Sequence, residues 1–157
     1  MERKNLVVGK KFKCLLFLDI DGVLNISAKQ PKYTEEVSEN LIKILKETDC
    51  GVVISSSWRL SMAIEDLIEY IETFFRIDDF RNYFVDVTPS LNSQRGLEIM
   101  RWIETNKFDG KFAILDDYPV NEFIGVHKNF IKTYFPTGIT DDIAQKTIQL
   151  LNEHRYQ

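Results

Sequence analysis

Three short apolar runs stop abruptly at polar residues: Leu15-Leu16-Phe17-Leu18 before Asp19, Gly51-Val52-Val53-Ile54 before Ser55, and Phe112-Ala113-Ile114-Leu115 before Asp116. Each is too short for a helix and lacks the polar alternation of a half-exposed strand, which is the pattern of strands buried on both faces of a parallel sheet. The intervening segments carry helical spacing. Residues 35–47 place Val37, Leu41, Ile42, Ile44 and Leu45 on one face behind Thr34 as an N-cap, and residues 60–75 do the same with Ile64, Leu67, Ile68, Ile71 and Phe75, with Ser61 as a cap. Residues 83–87 read as a short strand closed by Pro89, residues 97–103 as a helix and residues 130–134 as a weaker last strand; Thr140 or Asp141 caps a final helix through Leu151. Strands alternating with helices predict an α/β fold, a Rossmann-like three-layer α/β/α sandwich around a central parallel sheet. In such sheets ligands bind beyond the carboxyl ends of the strands, where strand order reverses.

A chain of 157 residues, 44% of them hydrophobic, can bury a single core without disulfides, and no repeat or linker divides it, so one domain over residues 1–157 is expected. No apolar stretch approaches a membrane span, and Met1-Glu2-Arg3-Lys4 is not followed by a signal-peptide core, which predicts a cytoplasmic protein. Cys14 and Cys50 lie five residues before Asp19 and Ser55, respectively, so they are expected level with each other at the opposite strand ends, as buried thiols. A net charge of −4 excludes a global basic field for nucleic acid, leaving only a local patch at Lys10, Lys11 and Lys13.

The chemistry concentrates where the runs stop. Asp19 and Asp21 are two residues apart, so in an extended chain both point to one side, and Gly22 lets the backbone turn away after them. Two carboxylates this close repel unless they share a cation or one retains its proton. That pair suits a nucleophile and an acid/base of magnesium-dependent phosphoryl transfer. A hydroxyl at the end of the second run, Ser55 or else Ser56, can donate to a phosphoryl oxygen without adding charge. Arg95, in Ser93-Gln94-Arg95-Gly96, stands just ahead of a helix, and Asp116-Asp117 closes the third run.

The segment Asp19-Ile20-Asp21-Gly22-Val23-Leu24-Asn25, followed in order by Ser55-Ser56-Ser57-Trp58-Arg59, Arg95-Gly96 and Leu115-Asp116-Asp117, resembles the four motifs of the haloacid dehalogenase (HAD) superfamily of phosphatases over residues 14–117. The resemblance implies that Asp19 attacks phosphorus to form an aspartyl-phosphate, that Asp21 is the general acid/base, that Ser55 binds the transferring group and that Arg95 offsets its charge. It also implies a Mg²⁺ site built from Asp19, the Asp21 backbone carbonyl and Asp117, with Asp116 orienting the shell or exchanging roles with its neighbour. The gaps between the motifs hold only one or two regular elements each, so no large cap domain is expected, and an open site suits phosphate on a macromolecule. The wording of the motifs, with Trp102 in the third helix and a closing Pro136-Thr137-Gly138-Ile139-Thr140, is similar to the capless HAD domains of RNA-repair proteins. This implies a nucleic-acid or nucleotide phosphate end as substrate; no obligate protein partner is evident in the sequence. A phosphoprotein or phosphometabolite phosphatase and a non-catalytic phosphate-binding module are the alternatives. Arg59 reads equally as a solvated helix start and as a second phosphate contact, and Trp58 as a packing residue before a base-stacking one. His127 and His154 read as surface residues, Asp78-Asp79 as a turn, and Asp141-Asp142 as the acidic first turn of a helix.

Overall fold

A computed structural model describes residues 11–152; the readings of the first four residues, Lys10 and His154 lie outside them. In chain order the regular elements are β1 (Cys14–Leu18), α1 (Glu35–Thr48), β2 (Gly51–Ile54), α2 (Ile64–Thr73), β3 (Phe84–Val87), α3 (Arg95–Asn106), β4 (Lys111–Asp116), β5 (Phe130–Lys132) and α4 (Asp141–Asn152). The five strands form one parallel sheet in the order β3-β2-β1-β4-β5. The chain builds outward from β1 in one direction, then returns to its other side, so strand order reverses between β1 and β4.

Alternating side chains of the buried strands feed two cores. Cys14, Leu16 and Leu18 face one side with Leu41 and Ile44 of α1, Leu67 and Ile71 of α2, and Ile148 of α4. Leu15 and Phe17 face the other with Ile99 and Trp102 of α3 and with Phe123. This is the predicted three-layer α/β sandwich, and the described residues contain no cap domain. None of their helices is long and apolar enough to cross a membrane.

Local signals set several boundaries as expected. Thr34 Oγ1 accepts from Val37 N at 3.4 Å to cap α1, and Thr140 Oγ1 accepts from Ile143 N at 3.3 Å ahead of α4. Asp78-Asp79 is an exposed turn and His127 is exposed. The second helix differs from expectation: its periodic residues Leu67, Ile68 and Ile71 are buried as predicted, but α2 starts at Ile64, and Ser61 does not cap it. Residues Ser57–Leu60 form a separate 3-10 turn capped by Ser56. Arg59 within that turn is tied sideways to Thr88, just past β3, and to Glu98 of α3. The third helix begins earlier than its apolar spacing suggests, so Arg95 lies in its first turn.

Candidate active site

The strand register brings the motifs together. Leu18 pairs with both Ile54 and Leu115, so the next residues, Asp19, Ser55 and Asp116, stand in one row across β2, β1 and β4. Backbone bonds continue the ladder through that row: Asp19 N donates to Leu115 O and Ser55 N to Leu18 O, both at 3.0 Å. The row lies at the carboxyl edge of the sheet, at the reversal of strand order, where the fold class places ligands.

Asp21 reaches the same place by a route the sequence did not indicate. The extended chain ends at Leu18, and residues 20–25 close a single turn in which Ile20 O accepts from Val23 N, Leu24 N and Asn25 N at 2.9–3.1 Å. The fully buried side chains of Ile20, Val23 and Leu24 anchor the turn. Gly22 adopts φ +81°, and a Cβ there would lie 2.6 Å from Asp117 Cγ, so glycine is required both by the backbone and by the approach of the second acidic segment. Asp19 and Asp21 therefore converge through a turn rather than through strand periodicity.

Asp19, Asp116 and Asp117 each offer a carboxylate oxygen, and these oxygens lie within 4.8 Å of one another. Arg95 Nη1 sits 2.9 Å from Asp116 Oδ2 and 3.2 Å from Asp19 Oδ1. Burial raises the Asp19 carboxyl well above the ordinary carboxylate range; Asp116 and Asp117 add to the rise and Arg95 opposes it, so a cation shared by the cluster would favour the ionised form. Burial and Asp116 also raise Asp117. Burial disfavours the Arg95 cation, but Asp116 and Asp19 outweigh it and hold the guanidinium firmly charged. Arg95 pairs with Asp19 and Asp116, while Lys132 acts on Asp117 from the side, and the net effect still leaves Asp19 and Asp117 raised. An oxygen-only cluster with incomplete charge compensation fits a hard divalent cation. Asp116 is fully buried, and its oxygens accept from Arg95 and from Tyr118 N, whereas Asp117 borders the open cleft. This geometry fits Asp117 as the freer ligand and Asp116 as the orienting neighbour.

The two candidate hydroxyls have different environments. Ser56 Oγ accepts from Trp58 N at 3.1 Å and is engaged in capping the 3-10 turn. Ser55 Oγ is buried and has no hydrogen-bond partner among the described residues. A buried hydroxyl is normally satisfied, and Ser55, level with Asp19, is the one of the two whose hydroxyl is left without a partner.

Arg59 requires a correction. Its five N–H donors are all engaged: Nε with Thr88 O, Nη1 with Ser55 O and Ser56 O, and Nη2 with Pro89 O and Glu98 Oε1, at 2.8–3.1 Å. A guanidinium has five donors, so Arg59 braces the strand ends with none left over in this structure, and it is not a solvated helix start. Glu98, unnoticed in the sequence, completes the brace by accepting Leu91 N on its other oxygen at 2.9 Å. The adjacent polar side chain did not reveal this role because the partners are backbone carbonyls from remote segments.

A cleft of about 450 Å³ opens onto Asp19, Asp21, Arg95 and Asp117, with Trp58 and Tyr118 in its walls. The Arg95 guanidinium lies 4.2 Å from the centre of the Tyr118 ring. Trp58 is a packing residue as expected, against Tyr70 and Phe75, but its indole N–H also donates to Asp21 Oδ2 at 3.0 Å. Asn25 donates to Asp21 Oδ1 at 2.8 Å. Neither polar contact had a sequence signal, because each depends on how the loops fold over the strand ends.

With this geometry in view, a family model for the HAD domain in Swiss Army Knife RNA repair proteins matches residues 15–144. The chain belongs to that family. The match takes in all four strand-end motifs of this HAD domain and points to a phosphatase-type function. No curated protein and no solved structure matches the chain.

Proposed function

We propose that this HAD domain is a Mg²⁺-dependent phosphatase that works through an aspartyl-phosphate on Asp19 and acts on phosphorylated nucleic-acid ends. The observation that carries the reading is the row formed by Asp19, the partnerless Ser55 hydroxyl and the Arg95–Asp116 pair at the floor of an open cleft. An Asp19 carboxylate oxygen attacks phosphorus while the bond to the leaving oxygen breaks, and the leaving oxygen takes its proton from Asp21. Asp21 then removes a proton from water as that water attacks phosphorus; the bond to Asp19 breaks and inorganic phosphate leaves. Ser55 and Arg95 hold the transferring oxygens and offset their charge. Asp19, the Asp21 carbonyl and Asp117 would hold the cation, which when bound neutralises charge on the phosphoryl group.

The family's place in RNA repair proteins supports the nucleic-acid substrate, as does the capless cleft, since a polymer end can enter it without a domain closing. Free buried thiols at Cys14 and Cys50 suit a reducing, cytoplasmic setting. The test is phosphate release from 3'- and 5'-phosphorylated oligonucleotides, a phosphopeptide and a sugar phosphate, with Mg²⁺ and after chelation. The expected result is the highest kcat/KM on an oligonucleotide, loss on chelation and recovery when Mg²⁺ is restored. Preference for the peptide or sugar would overturn the substrate assignment, and full activity after exhaustive chelation would overturn the metal requirement.

A further inference from the structure

We propose that Trp58 is a positioning residue for Asp21: its indole N–H, acting opposite the Asn25 amide, fixes the carboxyl plane from which the leaving group is protonated. The inference rests on the acid/base role proposed for Asp21. That carboxyl is partly exposed at the cleft wall, and each of its oxygens accepts one hydrogen bond, Oδ1 from Asn25 Nδ2 at 2.8 Å and Oδ2 from Trp58 Nε1 at 3.0 Å. The terminal torsion of an aspartate is broad, so without such donors its plane would swing. Two donors on opposite oxygens remove that freedom. Each oxygen retains a second acceptor position, so the clamp leaves room for the transferable proton while restricting where it can sit.

The two donors are anchored independently. Asn25 is part of its own loop: Nδ2 also donates to Ser27 O at 3.1 Å, and Oδ1 accepts from Ser27 N and Lys32 N at 3.2 and 2.9 Å. Trp58 is anchored in the body of the protein. Its ring centre is 5.4 Å from that of Tyr70 and 6.2 Å from that of Phe75, and its backbone N–H is held by Ser56. The fully engaged Arg59 follows immediately in the same 3-10 turn. The indole N–H is thus a fixed point beside a loop-borne carboxyl.

The chain contains two tryptophans, which supplies an internal control. Trp102 Nε1 donates to Asp86 Oδ2 at 2.7 Å, away from the cleft. In ¹⁵N-indole NMR spectra, Asp21→Ala should shift the Trp58 resonance and leave that of Trp102 in place; an unmoved Trp58 signal would overturn the contact without reference to activity. The kinetic arm compares single-turnover cleavage of an alkyl phosphate and an aryl phosphate by wild type, by Trp58→Phe, and by a variant carrying benzothienylalanine at position 58, which keeps the bicyclic ring and replaces N–H with sulfur. Misplacing a proton donor should slow the alkyl ester about tenfold or more while the aryl ester, whose leaving group needs less protonation, changes much less. Phe75→Leu, which loosens one of the two rings that anchor the indole, should lower Tm and slow the alkyl ester more than the aryl ester, by less than the benzothienyl variant does. Equal losses on both esters in the benzothienyl variant would overturn the positioning role. If wild type cleaves neither ester with Mg²⁺, the phosphatase reading fails on its own and the positioning role falls with it, while the NMR arm still reports on the contact.

Discussion

Strands β1 and β2 carry a matched pair of side chains at each end. Cys14 stands beside Cys50 at the amino end, while Asp19 stands beside Ser55 just past the carboxyl end. Burial acts in the same direction at both places. It pushes the Cys50 thiol up to about 12 and raises the Asp19 carboxyl well above its usual range. The outcomes differ because of the neighbours. Among the described residues no cation acts on Cys50, so burial leaves the neutral thiol as its favoured form. Arg95 and the adjoining acidic groups instead keep Asp19 in an electrostatic environment that a bound cation would complete. Burial favours the neutral form at both ends, and only at the Asp19 end does a neighbouring cation, Arg95, oppose it.

Five outcomes would break or sharpen that contrast. Asp19→Asn should reduce turnover roughly a thousandfold or more, as expected for loss of a nucleophile, with the Tm held or raised because a buried acidic group has been neutralised. Near-normal phosphate release would break the assignment of the Asp19 end. Ser55→Ala should lower kcat about a hundredfold with little change in urea-unfolding free energy, because its hydroxyl has no partner to lose. Ser56→Ala should do the reverse, costing about 1 kcal/mol as a lost cap with a smaller kinetic effect. A swapped pattern would make Ser56 the phosphate ligand.

Arg59→Lys should destabilise the fold by about 3 kcal/mol in urea titrations, since a point charge cannot serve four carbonyls and Glu98 at once. An unchanged midpoint would mean that the brace is dispensable. The smallest effect concerns the Cys50 end. Because the folded Cys50 pKa lies above the unfolded value of 9.0, the neutral thiol contributes stability that is fully present below pH 9 and is lost as pH rises toward about 12. Iodoacetamide at pH 9 should therefore label Cys50 slowly in the native protein and quickly in urea. Rapid native labelling would remove the distinction between the two ends.

The strand ends were legible because each apolar run stops at its functional residue and parallel strands keep register, so Asp19, Ser55 and Asp116 could be aligned by counting. The level placement of Cys14 and Cys50 followed from the same count. The start of α2 was not legible, since Leu60 extends the apolar pattern although it lies 62% exposed in a separate turn. The inward ties of Arg59 were not legible for a related reason: a basic side chain beside a hydroxyl motif has the same composition whether its donors point outward or into the protein.

By itself the sequence determined the α/β class, the order of the motifs and the identity of the acidic, hydroxyl and basic groups, because periodicity and strand termination are local properties of the chain. Only the tertiary structure decided which serine keeps a free hydroxyl, which of the paired aspartates borders the cleft, that the donors of Arg59 turn inward to brace the strand ends, and that Trp58 and Asn25 grip Asp21. Those outcomes depend on where hydrogen-bond donors and acceptors from distant segments meet, and a side chain's partners are set by the folded loops around it rather than by its neighbours in sequence.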